Sequence, residues 1–201
     1  MPYHEITVAA ANRARTAYEQ NEPRDLFYKT ATELIALSLA GRTNLTLSEA
    51  VAVLLQTWNR EYYRFRKFDS QHFADIDALL ASQRVPLSAV RSMNIRELGH
   101  GHGDEASATP TFIAFELVLG PVGAAKTLHL LAPQYFPIWD RAIASAYVGQ
   151  LGRTGTNGER YWEMMGYAAR QATHLVSEGY TGNPLKGIDE YNYCHFSKKW
   201  I

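Results

Sequence analysis

The chain has 201 residues, enough for one domain that buries roughly two-thirds of the surface of its unfolded form. Its 20 basic and 20 acidic residues give zero formal net charge, which argues against histone-like and polybasic membrane-surface proteins. Hydrophobic residues make up 46% of the chain, a fraction typical of globular proteins. The one cysteine, Cys194, excludes an internal disulfide framework and a cysteine-rich zinc ribbon.

Helical periodicity predicts the elements of the N-terminal half. Thr46 and Glu49 have the spacing of a capping box, which marks the start of a long amphipathic helix. The predicted helices cover residues 5–20, 24–39, 47–66 and 70–83, followed by a short helical piece that opens at Pro86. The start of the chain lacks the pattern of a signal peptide.

The C-terminal half follows a segment rich in glycine and histidine. Residues 99–108 contain several glycines, which disfavour a helix, and we predict a mobile loop there. Thr109 and Pro110 fit the cap and the first position of the helix that restarts after it. The predicted helices then cover 109–119, 122–131, 140–149 and 158–178, with a helical aromatic tail from Pro184.

These elements, with no alternating strand pattern, predict an all-α protein of about eight to ten helices. We expect one domain over residues 1–201 with two helical lobes, 1–98 and 109–201, joined by the loop 99–108. The apolar runs reach about ten residues, too short to span a bilayer. We therefore expect a cytoplasmic protein without a membrane partner.

The most informative segment runs from Leu119 to Leu128 and is followed by Asp140. A tight turn at Gly120 and Gly123 would expose backbone amides at the positive end of the next helix, which is a favourable site for an anion. An apolar stretch precedes Asp140, so its carboxylate would lie at a helix N terminus beside hydrophobic walls. The pattern indicates a helix-hairpin-helix element with an aspartate beyond it.

This arrangement resembles the helix-hairpin-helix DNA glycosylases of base excision repair. The resemblance implies that the 120–123 hairpin binds a DNA phosphate, and that Asp140 stabilises a cationic sugar or activates the nucleophile. Lys126 lies near the place of the lysine nucleophile of bifunctional members, and Trp139 would lie in the substrate pocket. The hairpin residues that would contact DNA are Gly120, Val122, Gly123 and Ala125.

Several features depart from the family pattern. Pro121 replaces the first hairpin glycine, which removes one amide donor, and the spacing from Gly123 to Asp140 is short. Lys126 stands one residue beyond the family's lysine position, a shift that rotates a helical side chain by about 100°. The cysteine ligands of an iron–sulfur cluster are absent, and we expect no cofactor.

Each of these residues also has a structural interpretation. Asp140 fits the N-cap of a helix, and Lys126 fits a solvated position on a helix. His129 fits a helix-surface or a packing position, and Trp139 fits the core. The glycines fit a turn between two packed helices.

Two further segments are candidate sites. Residues Arg60, Arg64 and Lys67 could contact DNA phosphates. Helical spacing would turn Trp58, Tyr62 and Phe65 inward together. The alternative is a core helix with a solvated basic face.

The glycine-rich segment has side chains that could ligate a divalent metal ion with help from His72 or His129. These are His100, His102, Asp104 and Glu105. His-x-His in a flexible loop is common without a metal, and we expect none bound.

The sequence therefore predicts a DNA N-glycosylase-like enzyme that binds DNA and hydrolyses the N-glycosidic bond of a damaged or mispaired base. The flipped base would enter a cleft between the two lobes. If Lys126 reaches the sugar, a Schiff base and strand cleavage would replace attack by water. Two alternatives remain open: a non-catalytic helix-hairpin-helix DNA-binding protein, and an α-helical protein-interaction module.

Overall fold

The computed structural model describes residues 5–98 and 105–201. Within these residues the regular structure is helical, which confirms the predicted all-α class. The helices are α1 (Val8–Asn21), α2 (Asp25–Leu39), α3 (Leu47–Trp58), α4 (Arg60–Tyr63), α5 (Ser70–Ser82), α6 (Arg84–Val90), α7 (Glu105–Leu131), α8 (Arg141–Tyr147), α9 (Gly158–Ser177) and α10 (Pro184–Asn192). A 3₁₀ turn covers Ile95–Glu97, and a π-helix covers Tyr193–Lys198.

Helix α3 begins at the predicted capping box but ends earlier than predicted. The hydroxyl of Thr46 accepts from the backbone N–H of Glu49 at 3.2 Å, and the Glu49 carboxylate accepts from the N–H of Thr46 at 2.7 Å. The single helix predicted over 47–66 is wrong, because the backbone leaves helical geometry at Asn59 and restarts as α4. The side chain of Asn59 donates to the backbone oxygen of Leu119 in another helix.

Helix α7 is two helices joined across a kink. Gly120 is its one residue with non-helical dihedrals, and its φ of 70° lies in the left-handed region that favours glycine. The predicted four-residue joint over 120–123 therefore reduces to a single residue. Pro110 lies inside the helix, so Thr109 is not its cap and residues 105–108 are helical rather than part of a loop. The rest of that predicted loop, 99–104, lies outside the described residues.

One hydrophobic core runs through the described chain, from Ile6 to Cys194. Helix α1 packs against α10 and the π-helix, and α2 packs against α7. The predicted division into lobes 1–98 and 109–201 does not follow this packing, because N-terminal and C-terminal helices share the same interfaces. The fold thus brings the end of α1 next to residues more than 160 positions away in sequence.

Among the described helices, α7 alone has the length and composition to cross a membrane. However, 56% of its apolar window is buried inside the protein. The kink at Gly120 also interrupts it. Burial in the core accounts for its apolar sequence.

Candidate active-site cleft

A narrow cleft with a cavity of about 40 Å³ lies between α1, α3, α7, α8 and α10. A cavity of this size has room for only a few water molecules, so a larger ligand requires that the walls of the cleft move apart. The lining residues are Tyr18, Glu22, Arg24, Trp58, Lys126, Ile138, Asp140, Ile143, Asp189 and Tyr193. The fold therefore places Lys126 and Asp140, the two predicted catalytic residues, in one cavity.

Lys126 points into this cleft from the second half of α7. Its ammonium donates a hydrogen bond to the backbone oxygen of Trp58 and lies 5.8 Å from the centre of the Trp58 ring. Burial lowers the pKa of Lys126 to about 8, against the opposing effect of the Asp140 and Asp189 carboxylates. A lysine of this kind has an appreciable neutral fraction near physiological pH, which is the form that acts as a nucleophile. Lys126 is half-buried, and its side chain lines the cleft rather than an open helix surface.

Asp140 is both a helix cap and a wall of the cleft. Its Oδ1 accepts from the backbone N–H of Ile143 at 2.9 Å at the start of α8. Its Oδ2 accepts from the hydroxyl of Ser197 in the π-helix. The capping interpretation is confirmed, and it is compatible with a catalytic role because the same carboxylate lines the cleft.

An ion pair that the sequence did not indicate lies at the end of α1. Arg24 donates through Nε to Glu22 at 2.7 Å and through Nη2 to the hydroxyl of Tyr193, also at 2.7 Å. The Tyr193 hydroxyl donates in turn to Glu22 at 2.6 Å. Burial opposes ionisation, but the hydrogen bonds from Arg24 and Tyr193 lower the pKa of Glu22 to about 2. The Glu22 carboxylate is therefore ionised, and Arg24 and Tyr193 hold it in place on this side of the cleft.

The predicted phosphate-binding glycines contact other parts of the protein. A Cβ on Gly120 would lie 2.9 Å from the Tyr62 ring, and a Cβ on Gly123 would lie 2.5 Å from Nδ2 of Asn59. Both glycines are buried, and Ala125 is fully buried in the core. The prediction that these three residues touch DNA is wrong for this conformation, because protein side chains occupy the space beside them.

Side chains from the neighbouring helices satisfy backbone groups at the kink. Nδ2 of Asn59 donates to the backbone oxygen of Leu119 at 3.2 Å, and the Tyr62 hydroxyl donates to that of Val118 at 2.8 Å. Kinks expose carbonyls that a straight helix would bond internally. Val122, the remaining predicted contact of the hairpin, is half-buried just beyond the kink.

Trp139 belongs to the core and not to the cleft. It has no exposed surface, and its ring packs edge-on against Phe112 and Tyr161 at centroid distances of 5.5 Å and 5.0 Å. Its Nε1 donates to the backbone oxygen of Pro121 at 3.0 Å. The prediction of a substrate-pocket residue is wrong, and Trp139 instead holds the chain before Asp140 against α7.

The basic segment after α3 lies at the surface. Arg60, Arg64 and Lys67 are exposed, as expected for a basic face, and Arg64 pairs with Glu61 at 3.0 Å. Phe65 is 87% exposed, so the prediction that it turns inward is wrong. Phe65 lies beyond the end of α4, and the Arg64 guanidinium lies 5.9 Å from the centre of its ring.

Two histidines of the described chain, His129 and His72, are buried packing residues. His129 is buried, with Nδ1 2.8 Å from the backbone oxygen of Phe136 and Nε2 3.0 Å from the Tyr28 hydroxyl, and burial lowers its pKa to about 4. Nε2 of His72 lies 3.1 Å from the hydroxyl of Tyr63. Within residues 5–98 and 105–201 no three metal-ligating side chains form a cluster. The candidate ligands His100, His102 and Asp104 lie outside the described residues, and Glu105 begins α7.

The comparisons with known proteins return no match. No protein-family model matches the chain, and no curated protein or solved structure shows significant similarity to it. The interpretation of the cleft therefore depends on its own chemistry.

Proposed function

We propose that the protein is a DNA base-excision glycosylase that uses Lys126 as its nucleophile and Asp140 as its catalytic carboxylate. One observation carries the proposal: an amine of lowered pKa and a carboxylate share a cleft with aromatic walls. Enzymes that form Schiff bases activate lysine by desolvation in this way. Aromatic side chains line the cleft, and of these Trp58 and Tyr193 are only partly buried; a flipped base would stack on one of them once the cleft opens.

The proposed reaction begins when the neutral Lys126 amine attacks C1′ of the nucleotide. The C1′–N bond breaks and its electron pair leaves with the base, which takes up a proton. Positive charge develops on the sugar, and the Asp140 carboxylate stabilises it in the low dielectric of the cleft. Opening of the sugar ring then gives a Schiff base, which permits strand cleavage before water releases the lysine.

The exposed basic segment provides the proposed contact with the DNA backbone. Because the chain has zero net charge, DNA binding must depend on a local patch. Residues 60–67 form such a patch, and Trp58, which lines the cleft, lies two residues before it in sequence. Phosphate contacts by Arg60, Arg64 and Lys67 would leave Phe65 to stack on a base or a sugar.

The proposal is tested with duplexes that carry an oxidised, alkylated, deaminated or mismatched base, and with a duplex that contains an abasic site. The wild-type protein should release at least one base and form a covalent adduct that borohydride traps. Lys126→Gln should abolish trapping, whereas Lys29→Gln, which removes an exposed lysine of α2, should leave it unchanged.

Two results would overturn the proposal in favour of a different protein class. Salt-dependent duplex binding without base release or trapping would indicate a non-catalytic DNA-binding protein. Absence of salt-dependent binding would indicate a helical protein-interaction module.

A further inference from the structure

One side of the cleft is closed by residues 193–201, which we call the gate segment. The segment consists of the π-helix Tyr193–Lys198 and the three residues that follow it. Its first residue, Tyr193, lines the cleft. The cavity that remains, about 40 Å³, holds a few water molecules but no nucleotide. A wall of the cleft must therefore move before the proposed substrate can enter.

The gate segment lies at the surface, whereas other residues of the lining belong to the core. Tyr18, Ile138 and Ile143 line the cleft and are at most 4% exposed. Of the nine residues of the gate segment, only Cys194 is buried. A segment with few buried side chains opens locally at a lower free energy than the core does. The gate segment is therefore the wall that moves most easily.

Two hydroxyl groups fasten the gate segment to the walls beside it. The Tyr193 hydroxyl donates to Glu22 at 2.6 Å and accepts from Arg24 at 2.7 Å. Four residues later, the Ser197 hydroxyl donates to Oδ2 of Asp140. Each hydroxyl thus meets a carboxylate that lines the cleft, one just after α1 and one just before α8. These hydrogen bonds hold the cleft closed.

The gate segment is bonded within itself and follows a fixed residue. The backbone N–H of Trp200 donates to the backbone oxygen of Cys194 at 2.8 Å, and the Trp200 ring packs edge-on against Tyr193 at 5.8 Å. Directly before the segment, Asn192 has no exposed surface and accepts from the Tyr147 hydroxyl at 2.8 Å. Hinges are commonly found at the ends of secondary-structure elements. The junction between Asn192 and Tyr193 is therefore a hinge about which the segment can swing as one body.

We infer that the gate segment opens and closes the cleft, and that the closed form shields Asp140 from substrate. The second part rests on the proposed function. In the closed form, Ser197 occupies one oxygen of the carboxylate that would stabilise the sugar. When the segment swings out, this oxygen is released, and Lys126 and Trp58 remain on the helices that do not move. Entry of substrate and release of the catalytic carboxylate are thus one movement.

The one cysteine of the chain reports the opening of the gate segment. The thiol of Cys194 is buried and donates to the backbone oxygen of Ala14 in α1 at 3.5 Å. Burial raises the pKa of this thiol to about 11, and the thiolate is the reactive form. Labelling of the folded protein by N-ethylmaleimide therefore requires that the segment move away from α1.

The experiment compares the labelling rates of wild type, Ser197→Ala and Tyr193→Phe. Each variant loses a hydrogen bond to a charged group, which should raise the open population and the labelling rate about tenfold. Ser48→Ala is the matched control, because it removes a bond of the same kind, from the Ser48 hydroxyl to the Asp77 carboxylate, between α3 and α5. Its labelling rate should equal that of the wild type.

Urea separates opening of the gate segment from unfolding of the whole protein. Local opening exposes little surface, so the wild-type labelling rate should depend only weakly on urea below the unfolding transition. A wild-type rate with the full urea dependence of global unfolding would overturn the gate. So would labelling of Ser197→Ala and Tyr193→Phe at the wild-type rate.

Base release tests the shielding of Asp140. At limiting DNA concentration, Ser197→Ala should release base about tenfold faster than wild type, because apparent affinity rises with the open fraction. A slower rate would show that Ser197 holds Asp140 in its working position, and would overturn the shielding while the gate stands. Absence of base release by the wild-type protein would overturn the proposed function, and the labelling rates would still decide whether the segment is a gate.

Discussion

The side-chain amide of Asn59 donates to the backbone oxygen of Leu119 across 3.2 Å, one residue before the kink of α7. The residue before Asn59 is Trp58, whose backbone oxygen accepts from Lys126 on the other side of that kink. Two consecutive residues at the end of α3 therefore hold both halves of α7. The position of the Lys126 amine depends on this clamp.

Gly123→Ala should destabilise the fold, because the new Cβ would lie 2.5 Å from Nδ2 of Asn59. Displacing the amide also removes its bond to Leu119, and overpacking of this kind costs about 1–3 kcal/mol. Chemical denaturation of the wild-type protein, Gly123→Ala, Asn59→Ala and the double variant measures the effect. The two substitutions should be coupled, since Asn59→Ala removes the atom that the new methyl group meets.

The matched control for this prediction is Gly166→Ala, at a helical glycine of α9 whose added Cβ has only the guanidinium of Arg170 nearby, at 3.8 Å. Helix propensity should make that change neutral or stabilising. Additive effects of Gly123→Ala and Asn59→Ala would show that the two positions do not touch.

Lys126→Met should stabilise the protein, and the gain should shrink as the pH rises. The pKa of Lys126 is about 8 in the folded protein, against an ordinary value of 10.5. Between these two values the unfolded chain binds more protons than the folded one, so the stability of the wild type rises with pH. A methionine side chain does not titrate, so it makes no pH-dependent contribution to the stability. The difference in unfolding free energy between variant and wild type should be largest at pH 7 and smallest near pH 10.5.

Urea titrations of both proteins at several pH values measure this difference. Because the lost hydrogen bond to Trp58 contributes a pH-independent offset, the trend with pH is the informative quantity. A difference that stays constant from pH 7 to pH 10 would show that Lys126 has an ordinary pKa.

Features set by residues a few positions apart were predicted well from the sequence. The capping box of Thr46 with Glu49 and the cap of Asp140 on Ile143 each involve a spacing of three residues, and both are present. Helix caps are local because the side chain bonds to an amide in its own first turn. Lys126 and Asp140, both candidate catalytic residues by the resemblance of the segment that contains them, line the same cleft.

The rest of the site depends on contacts between distant parts of the chain. Glu22 meets Tyr193, and Asp189 joins the cleft, only because α1 packs against α10 and the π-helix. No local spacing indicates such a contact. The position of Trp139 in the motif predicts a pocket residue, but the fold buries its ring against Phe112 and Tyr161 from two other helices.

Phe65→Ala should weaken binding to duplex DNA about tenfold without changing stability. The ring is 87% exposed and stands beside the Arg64 guanidinium at 5.9 Å. Stacking of one base on an aromatic side chain contributes roughly 1–3 kcal/mol, and about 1.4 kcal/mol corresponds to tenfold in affinity. Fluorescence anisotropy at two salt concentrations measures the change, with thermal unfolding as the check on stability.

Val85→Ala is the control for Phe65→Ala. Val85 is 78% exposed on α6, outside the basic segment, so its truncation should leave both stability and DNA affinity unchanged. Equal affinity of the two variants would remove the 60–67 surface from the proposed DNA contact.

Asp140→Asn should keep the fold and abolish most of the activity. An asparagine caps a helix about as well as an aspartate, so stability should change by less than about 1 kcal/mol. The neutral amide cannot stabilise positive charge on the sugar, and loss of one preorganised electrostatic group lowers turnover about 100- to 1,000-fold. Asp69→Asn is the matched control, because Asp69 caps α5 in the same way by accepting from the N–H of His72 at 3.0 Å and does not line the cleft. Single-turnover base release should therefore fall in Asp140→Asn and remain at the wild-type rate in Asp69→Asn. Equal rates in the two variants would show that the carboxylate of Asp140 acts only as a helix cap.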